Sequence, residues 1–350
     1  MIRTGVIGYG FSAQTFHLPL IECGGSLQLS AISTSKDALT VKEKYPDVLV
    51  YSSGRQMIRE ADIDLVVITA PNDAHFGLAR EALQCGKHVI LEKPMVCLPS
   101  DGEELVGLAR SRRLTLSVFH NRRWDGDFLT VKKIINDGLL GDVRFFESHF
   151  DRFRPTVRDR WRERPGPGAG IWFDLGSHLL DQALQLFGMP ETLTARCLAT
   201  RDKSEAIDYF HVILHYSGRE VILHSSSFSA GPNLRFHVQG TGGSFIKYGL
   251  DPQEDQLKSG MLPSHPLFGQ ENDKHSGVLY TESKREVIPT EFGRYLTYYL
   301  EIADAINNGT APSVSAEDGV KVIRLLELAE ISSREGKTVK IRLSSSTEAG

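Results

Sequence analysis

Three residues have types and spacing suited to one piece of chemistry. Asp174 and His178 stand four apart in a stretch, 174–187, that reads as helix, so they share one face. Lys93 follows an apolar strand at 88–91, and in doubly wound sheets ligands bind at the carboxyl ends of strands. Oxidising a secondary alcohol requires a hydride to leave carbon while a proton leaves oxygen. A histidine, which titrates near neutrality, suits the base. A lysine stabilises the developing alkoxide, and an aspartate hydrogen-bonds the hydroxyl. Taken singly, each residue has a blander reading: a surface lysine, a helix N-cap and a satisfied core histidine.

The hydride needs a carrier, and Gly8-Tyr9-Gly10-Phe11-Ser12-Ala13 fits its binding turn, G-x-G-x-x-A, between a first strand and a first helix. Gly8 permits the tight turn and Gly10 lets the backbone approach a pyrophosphate. The small Ala13 lets helix pack on strand, and the helix N-terminus faces the phosphates. An NAD site usually has Asp or Glu at the end of the second strand, for the ribose 2′-hydroxyl. Here the chain reads Ser33-Thr34-Ser35-Lys36. Hydroxyls and a lysine suit a 2′-phosphate, so NADP is expected, with NAD possible.

Thr69, Pro71, Asn72 and His75 follow the strand at 64–69, and Glu92, Lys93 and Pro94 follow the next, so all are expected to line the cofactor site. Asn72 reads equally well as a helix N-cap. Asn121 and Arg122, after the strand at 115–119, read as neighbours of substrate or nicotinamide, or Arg122 as an ion pair with Asp125. Residues 151–164 hold six arginines, two aspartates and one glutamate. They read as a paired, solvated segment, or as one from which Asp151, Arg152 or Trp161-Arg162 reaches substrate or cofactor.

These residues must be positioned by a particular alternation. Strands at 2–7, 27–33, 48–51, 64–69, 88–91 and 115–119 alternate with helices at 12–23, 36–45, 73–84 and 100–112. That is an α/β pattern, a Rossmann-type doubly wound parallel sheet. After about residue 120 the grammar changes. Helices at 128–137 and 174–187 accompany a long strand at 143–153 and hairpin-linked strands at 209–216, 220–228, 236–239 and 244–248. This predicts an α+β domain with an open, mainly antiparallel sheet. The expected division is a dinucleotide-binding domain, 1–120, and a substrate-binding and oligomerisation domain, 121–350, whose C-terminal helices at 293–308 and 315–334 return to the first. Residues 250–276 read as a long surface loop and 344–350 as a frayed tail.

The motifs together resemble the Gfo/Idh/MocA oxidoreductases over nearly the full length. They are Gly8–Ala13, Thr69-Ala70-Pro71-Asn72 with His75, Glu92-Lys93-Pro94, and Gly170–Asp181. His120–Trp124 and Ser148–Trp161 resemble a narrower subgroup that includes NADP-linked scyllo-inositol 2-dehydrogenases. One departure is Ala169 in the middle of the glycine-rich run 166–170. The resemblance implies a cis Lys93–Pro94 bond, a catalytic set of Lys93, Asp174 and His178, and a helix face carrying Asp174 and His178 opposite the nicotinamide. It implies an NADP-dependent dehydrogenase acting on CH–OH groups of a cyclic polyol or sugar, with scyllo-inositol first. No metal is expected in the reaction, since Lys93 supplies the cation. The alternatives are a cofactor-binding sensor that has lost catalysis, another sugar dehydrogenase, and NAD-dependent glycoside hydrolysis. A sensor has no need of all three catalytic residues.

Composition excludes other classes. The 350 residues carry 40 Lys and Arg against 44 Asp and Glu, a net charge of −4, which leaves no basic field for nucleic acid or anionic membrane. No apolar run approaches the ~20 residues of a membrane span. Cysteines at 23, 85, 97 and 197 form no C-x-x-C pair, and the N-terminus shows no secretory pattern, so a cytoplasmic protein is expected, its cysteines serving as small core residues. Along 209–216, Phe210, Val212, Leu214 and Tyr216 fall on one side, with His211, Ile213 and His215 on the other. That mixed, weakly charged second face predicts a homodimer or homotetramer.

Overall fold

The structure, a computed structural model, describes residues 1–160 and 163–342. The chain divides into two compact units. The first comprises residues 1–130, 251–272 and 290–323, and the second 131–250, 273–289 and the chain from 324 onward.

The first unit is built on six parallel strands: β1 (Ile2–Ile7), β2 (Leu27–Ser33), β3 (Leu49–Tyr51), β4 (Leu65–Ile68), β5 (His88–Leu91) and β6 (Leu116–Val118). Their order is β3-β2-β1-β4-β5-β6, which reverses direction between β1 and β4. All four residues of β4 are fully buried, as a parallel strand covered on both faces requires. The expected α/β architecture is therefore observed. The helix expected at 36–45 is regular only over Ala38–Lys42, where Asp37 caps it. The first helix contains a π-helical turn, Ala13–His17, ahead of its α-helical part, Leu18–Cys23.

Residues 250–276 are a surface loop only in their later part. Gln253–Lys258 is helical, and Asp251, Gln253 and Leu257 are buried in the first unit. Gln253 donates to the carbonyl of Trp124 (3.0 Å) and accepts from the amide of Tyr295 (2.8 Å). Asp251 accepts from the amide of Gly126 at 2.7 Å. The polar composition that read as solvated loop is spent on backbone groups inside the unit.

Among the described residues the second unit holds nine strands: β7 (Val143–His149), β8 (Thr192–Leu198), β9 (Tyr209–Tyr216), β10 (Arg219–Ser226), β11 (Leu234–Gly240), β12 (Gly243–Tyr248), β13 (Gly277–Tyr280), β14 (Arg285–Ile288) and β15 (Val339–Lys340). Their order is β14-β13-β12-β11-β7-β10-β9-β8-β15, and the pair β7–β10 is parallel in an otherwise antiparallel sheet. One face is the core: Phe146, Phe210, Val212, Leu214, Val221, Leu223, Phe236 and Val238 are all fully buried. The helix Ser177–Phe187 contributes Leu179, Leu180 and Ala183 to it. Arg235 is buried there too, held by Ser148 (2.7 Å) and Gln182 (2.9 Å), with its guanidinium 4.0 Å from the ring centre of Phe236.

The strand expected at 143–153 ends its regular course at His149. Beyond it, the amides of Phe150, Arg152 and Arg154 still donate to the carbonyls of His224, Ser226 and Ser227. The cysteines are not core residues as expected: Cys85 is exposed, and Cys23, Cys97 and Cys197 are partly exposed and unpaired. Among the described residues no helix is long and apolar enough to cross a membrane.

Candidate active site

The parallel strands end in register. Ile7 pairs with Ser33 on one side and Ile68 on the other, Ile68 with Leu91, and Leu91 with Val118. The next residues continue the row: Gly8 donates to Ser33, Thr69 to Ile7, Glu92 to Ile68 and Phe119 to Leu91, all at 2.8–3.0 Å. Gly8, Thr34, Thr69, Glu92 and the residues after them thus emerge along one edge. Lys93–Pro94 is cis, as the resemblance implies.

Gly8 has φ +101°, and a Cβ there would lie 2.6 Å from the Thr69 hydroxyl. Only glycine meets both demands. Gly10 differs: a Cβ would meet nothing within 4 Å. No atom of the described residues requires a glycine at 10, whereas a pyrophosphate laid against the backbone does, so the turn fits a dinucleotide. The first-turn amides of the helix beginning at Phe11 have no acceptors within the helix and face the same approach. The Phe11 ring itself is exposed. Ser33 and Thr34 are buried, while Ser35 and Lys36 are exposed. The Lys36 amide donates to the Thr34 hydroxyl at 3.0 Å, and its ammonium lies 5.6 Å from the ring centre of Tyr9, within the glycine turn.

Glu92 is the polar centre of this edge. It accepts from the Ser12 hydroxyl, from His17 Nε2 (3.0 Å) and from the Lys93 amide (2.9 Å). His17 Nδ1 in turn meets the Tyr299 hydroxyl at 2.6 Å, and its ring lies on Phe119 with centres 4.2 Å apart. Burial alone would raise the Glu92 pKa. The hydrogen bond and charge of His17, the Lys93 charge and the Ser12 hydroxyl outweigh it and hold the carboxyl at about 2. His17 and Tyr299 were not anticipated. Ser12 and His17 are five apart and meet one carboxylate across the π-turn, whose i→i+5 spacing no 3.6-residue pattern reveals.

Other expected residues take supporting positions. His75 is fully buried, its ring bridging the carbonyls of Pro94 (3.0 Å) and Ala70 (2.9 Å), so it ties the Lys93–Pro94 turn to the end of β4. Pro71 occupies the N-cap of the helix Asn72–Gln84, which puts Asn72, also buried, in its first turn. Asn121 is buried. Arg122 is buried and paired with Asp125 (3.3 Å) and with Glu254 (2.6 Å). Tyr295 completes the cluster through a 2.6 Å bond to Asp125. Burial alone would lower the pKa of Arg122, but the hydroxyl of Tyr295 and the charges of Asp125, Glu254 and Asp251 push it up.

Asp174 and His178 belong to the second unit. Asp174 lies in a π-helical turn, Trp172–Gly176, that leads into the helix carrying His178. The turn is pinned by Trp172, which is fully buried, donates to the carbonyl of Leu326 at 3.0 Å and packs on Phe210. Gly176 leaves room for that indole, onto which a Cβ would fall. Asp174 is half-buried and His178 buried. Arg154, from the arginine-rich segment, stands close enough to Asp174 for their charges to attract, although burial and the like charges of Arg158 and Arg160 lower its pKa. The carboxylate of Asp151 is engaged by His149 Nδ1 (3.0 Å) and by the amide of Ser226 (2.8 Å). Trp161 and Arg162, and the tail 344–350, lie outside the described residues.

Comparison with known proteins accounts for both units. Residues 2–120 match the oxidoreductase-family NAD-binding Rossmann fold of Gfo/Idh/MocA proteins, and residues 132–341 match that family's C-terminal alpha/beta domain. The chain belongs to the Gfo/Idh/MocA oxidoreductase family. It is 46% identical to the uncharacterised oxidoreductase YdgJ of Escherichia coli (strain K12) over 97% of this chain and 98% of that one. It is 41% identical to the NADP(+) scyllo-inositol 2-dehydrogenase IolW of Bacillus subtilis (strain 168), over 97% of this chain and 96% of that one. The solved structure of the oxidoreductase yvaA from Bacillus subtilis superposes with a TM-score of 0.94 at 41% identity, covering 97% of this chain and 98% of that one.

Within this Gfo/Idh/MocA protein the Glu92 cluster makes a measurable prediction. A carboxylate held down from its ordinary 4.5 to about 2 contributes stability that is complete above about pH 4.5 and lost as pH falls towards 2. Glu92→Gln keeps the shape but removes the charge facing His17. It should cost about 1–3 kcal/mol at neutral pH by urea denaturation. The difference from the parent should shrink as pH falls from 4.5 towards 2, and a pH-independent difference would contradict the assignment.

Proposed function

We propose that the chain is an NADP-dependent dehydrogenase that oxidises one ring CH–OH of a cyclic polyol or sugar to a ketone, with scyllo-inositol the leading substrate. The observation that carries the reading is the placing of Lys93 directly after β5, its amide on Glu92, on the sheet edge that carries the dinucleotide turn. The likeness to the Bacillus subtilis NADP(+) scyllo-inositol 2-dehydrogenase supports the substrate class and the cofactor.

Gly8, Gly10 and the helix N-terminus from Phe11 to Ala13 would hold the pyrophosphate, and Ser33, Thr34, Ser35 and Lys36 the 2′-phosphate. The nicotinamide, when bound, supplies hydride transfer. The chain manages the proton and the charge. His178 accepts the hydroxyl proton at its imidazole. The Lys93 ammonium meets the negative charge that grows on oxygen as the proton leaves. Asp174 accepts a hydrogen bond from the substrate and orders the proton path. Asn121 and Arg122 neighbour the substrate, Arg122 held by Asp125 and Glu254, while His75 positions the backbone of the Lys93–Pro94 turn. Four unpaired cysteines fit a reducing cytoplasm as the working compartment.

The outer face of the second unit's sheet carries half-buried Phe145, Ile213, Ile222 and Ile246 among polar residues, and we propose it as the contact of a homodimer or a dimer of dimers. Light scattering at micromolar concentration should give a multiple of 38.9 kDa, and a mass of 38.9 kDa would exclude the contact.

A panel of inositols and aldoses with NADP and NAD, followed at the nicotinamide absorbance, tests the activity. Turnover of a cyclic polyol with NADP is expected, and no turnover of any polyol would overturn the reading. Lys93→Ala should lower kcat by about 10²–10³-fold with cofactor affinity largely kept. Near-normal turnover would remove Lys93 from the reaction. Lys36→Asp should move preference towards NAD, and an unchanged NADP/NAD ratio would place 2′-phosphate recognition elsewhere.

A further inference from the structure

The second unit carries a cluster of titratable side chains outside the catalytic set of Lys93, Asp174 and His178. Strand alternation puts Glu147, His149 and Asp151 on one face of β7 and its continuation, with Ser148 and Phe150 turned into the core. His149 lies opposite His224 of β10, and His224 lies opposite His211 of β9. The rings of His149 and His224 are 4.7 Å apart between centres. One side-chain atom each from His149, Asp151 and His224 falls within a sphere of contact where all lie within 4.8 Å of one another.

Two of the separations, one to each carboxylate oxygen of Asp151, fall near those of a coordination sphere. Two ligands on a tetrahedral ion at bond lengths of about 2.1 Å stand roughly 3.4 Å apart. His149 Nδ1 is 3.0 Å from Asp151 Oδ2, and His224 Nε2 is 3.5 Å from Asp151 Oδ1. The supporting shell is also present. The other ring nitrogen of His149, Nε2, sits 2.7 Å from Glu147, the carboxylate–histidine arrangement that orients metal-bound imidazoles. The Ser226 amide fixes the Asp151 carboxylate at 2.8 Å. Two carboxylates, Glu147 and Asp151, lie against the His149 ring, one at each nitrogen.

We propose that His149, Asp151 and His224 form a binding site for a borderline transition-metal ion of the zinc class, with Glu147 as the positioning carboxylate behind His149. Two imidazoles and one carboxylate favour Zn²⁺, Co²⁺ or Ni²⁺ over Ca²⁺ or Mg²⁺, which prefer all-oxygen shells. Three protein ligands leave at least one coordination position for water or another small donor. The bound ion joins the end of β7 to β10 and so clamps the single parallel pair of the sheet.

The test uses the full-length protein after chelator treatment, titrated with Zn²⁺ by calorimetry and with Co²⁺ by absorption. One ion per chain is expected, with visible Co²⁺ bands of a four- or five-coordinate site and a Tm that rises with Zn²⁺. His224→Gln and Asp151→Asn should each weaken binding at least about tenfold and abolish the Tm rise. Glu147→Gln should weaken it by about 10–100-fold while keeping the stoichiometry. His265→Gln, at an exposed histidine outside the cluster, controls for loose surface binding. Should His224→Gln fail to fold by circular dichroism, Asp151→Asn alone decides. Absence of saturable binding, or binding unchanged in the folded cluster variants, overturns the proposal. Because every readout is metal binding, the result is independent of whether a polyol is turned over.

Discussion

The structure rests on one constraint: six parallel strands that stop at the same level. Parallel pairing slants and spaces its hydrogen bonds evenly, so a register set at one residue is carried across the sheet. Here Ile7 pairs with both Ser33 and Ile68, and Ile68 with Leu91. Every loop that follows a strand therefore starts from one line. Gly8 needs its positive φ because Thr69 of the neighbouring strand is beside it. Glu92 can meet the first helix because β1 and β5 end on that line. A slip in one strand would carry its glycine, carboxylate or lysine out of reach of the others.

Buried polar groups then fix what apolar packing alone would leave loose. Apolar contacts are non-directional, and a sheet packed only by Val, Ile and Leu tolerates small shifts of its loops. A buried carboxylate does not, because leaving it unpaired costs several kcal/mol. Glu92 holds Ser12, His17 and the Lys93 amide, so the first helix and the lysine loop cannot move apart cheaply. Asp251 and Gln253 do the same for Gly126, Trp124 and Tyr295. In both clusters the partners include backbone groups, the Lys93 amide at Glu92 and the Gly126, Trp124 and Tyr295 groups at Asp251 and Gln253. They specify where the chain runs.

The elements that sequence reveals are those governed by a single period. Continuous apolar strands such as Leu65–Ile68 announce a parallel sheet, and Phe210, Val212 and Leu214 announce a half-covered antiparallel one. The glycine turn, the Lys93–Pro94 step and the Asp174–His178 pair are likewise local patterns. What stays hidden depends on partners distant in the chain. Nothing near Asp251 or Gln253 shows that Gly126, Trp124 and Tyr295 await them, so a polar stretch reads as loop. The buried Arg235 is held by Ser148 and Gln182, both distant in the chain. The pairing of His17 with Glu92 spans 75 residues. The contact of Asp151 with His149 follows from alternation along β7 and its continuation, but its hold by the Ser226 amide is long-range and hidden.

The two helices that carry the candidate chemistry share an irregularity. Each contains a π-helical turn, Ala13–His17 in the first unit and Trp172–Gly176 in the second. Such turns are rare, and they persist where surrounding contacts over-determine them. The first is held by His17, locked between Glu92, Tyr299 and the Phe119 ring. The second is held by Trp172, whose indole fills the space that Gly176 leaves and is anchored on Leu326. In an unbroken α-helix Ser12 and His17 diverge around the axis, and Glu92 cannot accept from both. The extra residue in the turn converts a separation of five into a common direction. Regular secondary structure delivers the helices to their places, and its local failure aims the side chains.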